Sequence, residues 1–349
     1  MASPASSGGP EPYTRPLRVL SARAAASKAK SRTLLKVIQS PSEDGAAAVQ
    51  TADPRRWAAR LCAQLASGED VGYFGPSSAL WQLNREAVLG LGLGRAVLMQ
   101  LAHPWVAQAV VDHSPAAGRP LDRLLATATA AELLVFGSRA QADGAAARIR
   151  QVHERVSGTL AEDVGRWSRG TPYRADDPDA LRWVLVTIVD TALVLYEATF
   201  GRLPDAMLAR YLAEAAQLGS MLGLPPEGMP RDRGDLSRYL GAILSDGTIA
   251  VGSVARRLVG ALVRPRFPPG TDPFFRVYAW LTVAVAEVLL PEVLREQYAS
   301  VLPRRHLGLY RLTGRAGRAV VRRLPVSART DPLAAHALRR CASRPLAPA

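Results

Sequence analysis

Three of the five histidines in the 349-residue chain, His103, His113 and His153, fall within one contiguous third of it, and they are the side chains best suited to chemistry. Imidazole binds a metal through a neutral ring nitrogen, or moves a proton near neutral pH. His153 sits in Ala-Arg-Ile-Arg-Gln-Val-His-Glu-Arg-Val, with Ile149 four residues before it and Val156 three after. On a helix these side chains share a face, so the ring is expected to point inward. A buried imidazole requires a partner, whether a carbonyl, a carboxylate or a metal, and the residues leave these alternatives open. His103 precedes Pro104, where a helix must start or kink. His113 ends a helix ahead of Ser114 and Pro115, where a ring also interacts favourably with the macrodipole.

A second constellation is Arg123 with Thr127, four apart and so on one face of the helix that Pro120 introduces. Among Leu124, Leu125, Leu133 and Leu134, this arginine can pair with Asp122 or a neighbouring helix, or clamp an anionic cofactor group. Common hydrolytic and nucleotide-dependent chemistries lack their residues: there is no G-x-S-x-G elbow, phosphate loop or H-E-x-x-H pair. Gly90, Gly92 and Gly94 miss the dinucleotide-loop spacing and follow no strand, so close helix packing is the expected reason for them. Cys62 and Cys341 form neither C-x-x-C nor C-x-x-C-H, which fits a reducing cytoplasm and requires any haem to be held non-covalently.

The elements that must position these residues read as helices. Apolar residues make up 48% of the chain, aromatics only 6%, and no long stretch alternates apolar with polar. The expectation is an all-α fold, a single large helical domain whose buried core helices enclose a cofactor pocket, with globin-like packing as one arrangement. The periodicity starts at Trp57, breaks over Gly72–Pro76 and resumes near Ser78. Further helices are predicted at about 97–112, 120–136, 139–157, 177–200, 204–222, 234–245, 248–263, 273–289 and 291–299. Trp183–Phe200 and Val277–Leu290 contain internal acids and are expected to be buried core helices rather than membrane spans.

The net charge of +14 belongs to the ends of the chain. Residues 1–52 carry 7 basic and 3 acidic side chains, residues 303–349 carry 11 and 1, and the span between them 26 of each. A body of zero net charge lacks the continuous basic surface that nucleic acid requires, so no nucleic-acid partner is expected. Residues 1–52, rich in Ser, Ala, Gly and Pro, are expected to be a disordered tail without an apolar run long enough for a secretory signal. Residues 53–302 form the helical domain, and 303–349 a basic, partly helical segment packed on it. Between Leu307 and Leu324 apolar residues alternate with arginines, a pattern suited to weak peripheral membrane association or to docking on the body.

Gly94-Arg95-Ala96-Val97-Leu98-Met99-Gln100-Leu101-Ala102-His103-Pro104, followed by Asp112-His113-Ser114, resembles the opening signature of the MpaB and latex-clearing (rubber oxygenase) family. Arg123 to Thr127, Phe136-Gly137, Val152-His153, Tyr173-Arg174-Ala175-Asp176-Asp177-Pro178 with Leu181 and Trp183, Leu289-Leu290-Pro291 to Arg295, and Leu324-Pro325 before Asp331-Pro332 follow in the family's order. The resemblance covers roughly residues 75–345. It implies an all-α oxygenase holding haem b, with His153 as the proximal iron ligand and Arg123 and Thr127 as the conserved pair beside it. Dioxygen and a small apolar substrate, alkene-containing or isoprenoid-like, are the implied reactants. The latex-clearing enzymes also use a distal lysine next to the threonine and an acidic base; Ala126 stands before Thr127 here, and no acid matches. His103 and His113 are the candidates to line that side. Two rival readings use the same residues: a non-haem metal site built from His103, His113 and His153 with Asp112 or Asp190, and a non-catalytic helical binding protein.

Overall fold

Apolar side chains at helical spacing fold into helices here almost wherever the sequence predicts them. The computed structural model describes residues 54–113, 120–264, 273–302 and 317–343. Along the chain these form α1 (Pro54–Ala66), α2 (Ala79–Asn84), a 3-10 turn (Ala87–Gly92), α3 (Leu93–Leu101), α4 (Pro104–His113), α5 (Pro120–Phe136) and α6 (Arg139–His153). Then come two short strands, β1 (Ser157–Thr159) and β2 (Pro172–Arg174), followed by α7 (Pro178–Phe200), α8 (Asp205–Met221), α9 (Arg233–Ser245), α10 (Ser253–Val263), α11 (Pro273–Leu289) and α12 (Glu292–Gln297). Helices α13 (317–323), α14 (Val326–Arg329) and α15 (Pro332–Ala342) complete the described chain. The tail predicted over 1–52, and all of the 307–324 stretch before 317, lie outside the described residues.

Helix α7 is the axis of the fold. Asp177 caps it, accepting from Asp179 N and Ala180 N, Pro178 occupies its first turn, and Gly201 ends it at φ +97°. Leu185, Val186, Val189 and Leu193 join one apolar cluster with α1, α2, α5, α6, α8 and α15. Trp183 joins a second cluster with α3, α4, α10 and α12, and its Nε1 donates to Met99 O at 3.1 Å. By length and composition α7 could cross a bilayer, and most of its apolar stretch is buried against the neighbouring helices. Each fully buried large apolar side chain in these clusters contributes roughly 1.5–3 kcal/mol.

Two buried cations tie helices together. Arg95 on α3 reaches Asp190 Oδ2, Thr191 Oγ1 and Leu289 O, each at 2.7 Å, joining α3, α7 and the end of α11. Arg340 on α15 donates to Leu65 O at 2.6 Å and Phe136 O at 2.7 Å, satisfying carbonyls at the C-terminal ends of α1 and α5. The glycines before and within α3 serve close packing: a Cβ at Gly94 would lie 2.5 Å from Thr282 O on α11, and one at Gly92 2.6 Å from Thr191 Cγ2 on α7.

Two predicted helices change at their ends. The 97–112 helix divides at His103, because Pro104 cannot continue the hydrogen-bond ladder and starts α4 instead. The 139–157 helix stops at His153: Val156 leaves the helical path, its carbonyl accepts from Ala175 N at 3.0 Å, and β1 then pairs antiparallel with β2 in the register Ser157↔Arg174. Val156 therefore does not share a helix face with His153. The ring is half-buried rather than sunk in the core.

Candidate functional site

The α5–α6 hairpin places the residues singled out from the sequence. Its turn is fixed by a capping box, in which Ser138 Oγ accepts from Gln141 N and Gln141 Oε1 accepts from Ser138 N. The two helices run antiparallel from that turn, so positions 123 and 153 are each about 20 Å from it at 1.5 Å rise per residue and lie level with one another. The first turn of α5 thus stands beside the last turn of α6. The side chain of Arg123 lies outside the described residues. Ala126 and Thr127 are exposed although Leu125, Leu133 and Leu134 on the same helix are buried, and no side chain from 126 to 131 is larger than threonine. Thr129 is anchored, donating to Leu125 O and accepting from Trp57 Nε1 at 2.7 Å.

His153 closes α6, where its carbonyl accepts from Val156 N at 3.1 Å. The strand pair folds Asp176 back toward it. Asp176 is gripped by both arms of Arg174, Nε to Oδ1 at 2.8 Å and Nη2 to Oδ2 at 2.6 Å. The Arg174 hydrogen bonds hold the Asp176 carboxyl below its usual range; burial opposes this, and the charges of Arg174 and His153 add to the lowering.

His113 reaches the same strand pair from α4. Its Nε2 lies 2.9 Å from Ser157 O, and its ring meets Tyr173 edge-on at 6.3 Å. A carbonyl only accepts, so Nε2 carries the proton and the neutral ring presents Nδ1 as its lone pair. Below it Tyr173 OH donates to Asp112 Oδ2 at 2.7 Å and Gln108 Nε2 donates to Asp112 Oδ1 at 2.9 Å. Burial and the Asp112 hydrogen bond push the tyrosine hydroxyl far up, so it remains a donor.

His103 lies elsewhere, packed with Trp105 and Trp167 at ring separations of 5.7 and 6.2 Å. Its Nδ1 accepts from Trp105 N at 3.2 Å, which leaves the proton of the neutral ring on Nε2 and no lone pair for a metal. Burial, aided by the Arg166 charge, lowers its pKa to about 4. Asp190 is committed to Arg95. The strand pair therefore brings His113 and His153 to one region but leaves His103 and Asp190 outside it. A crevice between α4, the 160–164 segment and α10 has room for little more than a water molecule, far below an ordinary ligand site, and none of the predicted site residues lines it.

The family model for the catalytic domain of the ER-bound oxygenase mpaB/B'/rubber oxygenase matches residues 80–319, more than half of the chain. The chain belongs to the MpaB and rubber oxygenase family. It is an oxygenase, which removes the reading as a non-catalytic binding protein. No curated protein and no solved structure matches the chain. The match to this oxygenase family runs from α2 to α13 and so contains the α5–α6 hairpin and the strand pair, while α1 and α15 flank it.

Two features near the singled-out residues escaped the reading of single residues. Asp176 and Arg174 lie in the polar run Tyr173–Pro178, whose pairing with the chain after His153 is visible only in three dimensions. Glu132 sits half-buried on α5, its Oε2 shielded from solvent and without a hydrogen-bond partner among the described residues. Burial, reinforced by the Asp331 charge, raises its pKa to about 8. A neutral acid on the helix that carries Thr127 was not deducible from a Glu flanked by Ala131 and Leu133.

Proposed function

We propose that this oxygenase works with haem b held through His153 and acts with dioxygen on a small apolar, alkene-containing or isoprenoid-like substrate. The observation that carries the reading is the donor set. A metal bound by protein side chains alone needs three or four ligands. Among the described residues no three His, Cys, Asp or Glu side chains stand together to supply them, and His103 and Asp190 have other partners. Haem brings four nitrogens of its own and needs a single imidazole from the protein. A half-buried histidine at a helix end, on the hairpin that exposes Ala126 and Thr127, fits that requirement and disfavours the three-histidine alternative.

Bound haem supplies the iron that binds and activates dioxygen. The chain's residues hold and orient it. His153 would offer one ring nitrogen, and an arginine at position 123, on the helix antiparallel to the one His153 ends, would meet a propionate as a forked cation. Thr127, one helical turn further along α5, would hydrogen-bond an oxygen ligand or that guanidinium. Exposed apolar residues on α11, among them Val277 at 57%, and Val320 on α13 at 60%, support an apolar substrate and peripheral contact with an apolar phase.

His153→Ala tests the assignment. The haem-loaded variant is expected to lose or strongly shift its Soret band while far-ultraviolet circular dichroism stays helical. An unchanged Soret band would retire His153 as the ligand.

A further inference from the structure

We propose that Trp57 is a positioning residue of the oxygenase: from α1, outside the matched catalytic domain, it fixes the rotation of α5 and so the direction in which Thr127 faces; this rests on the reading of Thr127 and haem given above. Trp57 is half-buried, and its Nε1 donates to Thr129 Oγ1 at 2.7 Å. A second tie joins the same two helices, since Arg340 donates both to Leu65 O at the end of α1 and to Phe136 O at the end of α5. At 1.5 Å rise per residue the two ties stand about 12 Å apart along α1 and about 10 Å apart along α5, so the helices run side by side in one direction. Leu61, Leu65, Leu133 and Phe136 belong to the apolar cluster that both helices share. Ties at this spacing fix both the slide and the rotation of α5 against α1.

Thr129 and Thr127 are two residues apart, about 200° around the helix, so the side held by Trp57 is turned away from the side that carries Thr127. Burial agrees: Thr129 is half-buried and Thr127 exposed. The indole N–H takes one lone pair of Thr129 Oγ1 and leaves the hydroxyl proton for Leu125 O at 2.8 Å. A threonine bonded back to the carbonyl one turn earlier tends to bend its helix, and the turn bonded here, residues 125–129, has Thr127 at its centre. Trp57 therefore acts through Thr129, from the opposite side of α5 to Thr127. The family model begins at residue 80, so this tie is supplied from outside it.

The test is infrared spectroscopy of carbon monoxide added to the full-length, haem-loaded and reduced protein, because the C–O stretching band responds to polar groups beside the gas. Trp57→Phe keeps an apolar ring and removes the donor. Thr129→Val keeps the shape and removes the hydroxyl, and Thr129→Ser restores the hydroxyl, so this pair addresses the same bond without touching α1. Thr127→Val is expected to shift the band, and Trp57→Phe and Thr129→Val to shift it in the same direction. Their double variant should shift it no further than either alone, since both remove one bond. Thr129→Ser is expected to keep the wild-type band, as is Tyr73→Phe, which removes the 2.8 Å bond to Asp143 near the hairpin turn and serves as the control for loosened packing. A shift in Thr127→Val with none in Trp57→Phe and Thr129→Val overturns the Trp57 role and leaves the Thr127 reading standing. A shift in Tyr73→Phe or Thr129→Ser as large as that in Trp57→Phe overturns it too. A band that Thr127→Val does not move, or a wild-type protein that takes up no haem, overturns both.

Discussion

The Arg95–Asp190 pair offers the sharpest test of what holds the fold together. The side chains are 3% and 10% exposed, and the guanidinium makes hydrogen bonds of 2.7 Å to Asp190, Thr191 and Leu289 O. Asp190→Leu removes the only countercharge these bonds include and leaves a cation inside the core, a change that costs about 3–5 kcal/mol. At roughly 2–4 °C per kcal/mol, the melting temperature falls by about 6–20 °C. Arg95→Met combined with Asp190→Leu removes both charges. What then remains is chiefly the Leu289 carbonyl without its donor, about 1–3 kcal/mol, so the double variant is expected to be more stable than the single one. Thermal unfolding followed by circular dichroism, with haem content matched because a bound ligand shifts apparent stability, gives both numbers. The reasoning fails if Asp190→Leu costs less than about 1 kcal/mol, or if the double variant is no better than the single.

Two pH dependences follow from buried groups. Glu132 titrates near 8 in the folded protein and near 4.5 when free, so between those values the folded state binds more protons; its stabilising contribution is complete below about 4.5 and is lost as pH rises through 8. Urea midpoints measured from pH 5 to 9 should fall more steeply in the wild type than in Glu132→Gln, and parallel curves would contradict this. His103 has the opposite sign: its folded pKa of about 4 lies below 6.5, so its contribution is present above 6.5 and lost as pH falls through 4. His103→Asn, which keeps an acceptor for Trp105 N, should shift the acid-unfolding midpoint to lower pH, and an unmoved midpoint would show that His103 does not drive acid unfolding.

The helices were legible because their apolar residues recur at helical spacing and because Pro120, Pro178 and Pro273 mark where they start. Close packing at Gly92 and Gly94 was legible too, from glycines that no loop motif explained. The strand pair was not: Ser157–Thr159 and Pro172–Arg174 are three residues each, too short to alternate, and they are held by His113 and by the Tyr173–Asp112 bond from α4. Continuing α6 to residue 157 followed from Val156, an apolar residue at helical spacing that instead belongs to the strand pair. His103 looked like an available ligand because sequence shows the histidine but not the Trp105 amide that occupies it. Arg340 and one of Arg95's three bonds escape for a related reason: the partners are backbone carbonyls from distant helices, which have no side-chain signature.

The bonds from Arg340 to the ends of α1 and α5 span as many as 275 residues of chain. During synthesis the carbonyls at Leu65 and Phe136 emerge long before the guanidinium that covers them. The nascent chain must carry α1 and α5 with uncapped ends, and with the apolar seat of Leu333, Ala334 and Ala337 open, until α15 has left the ribosome. Closure of such distant contacts is slow, and the exposed surface meanwhile favours aggregation. More chaperone should therefore raise the soluble yield, and a chain truncated before residue 332 should keep the Trp57–Thr129 bond but hold its first helix less firmly.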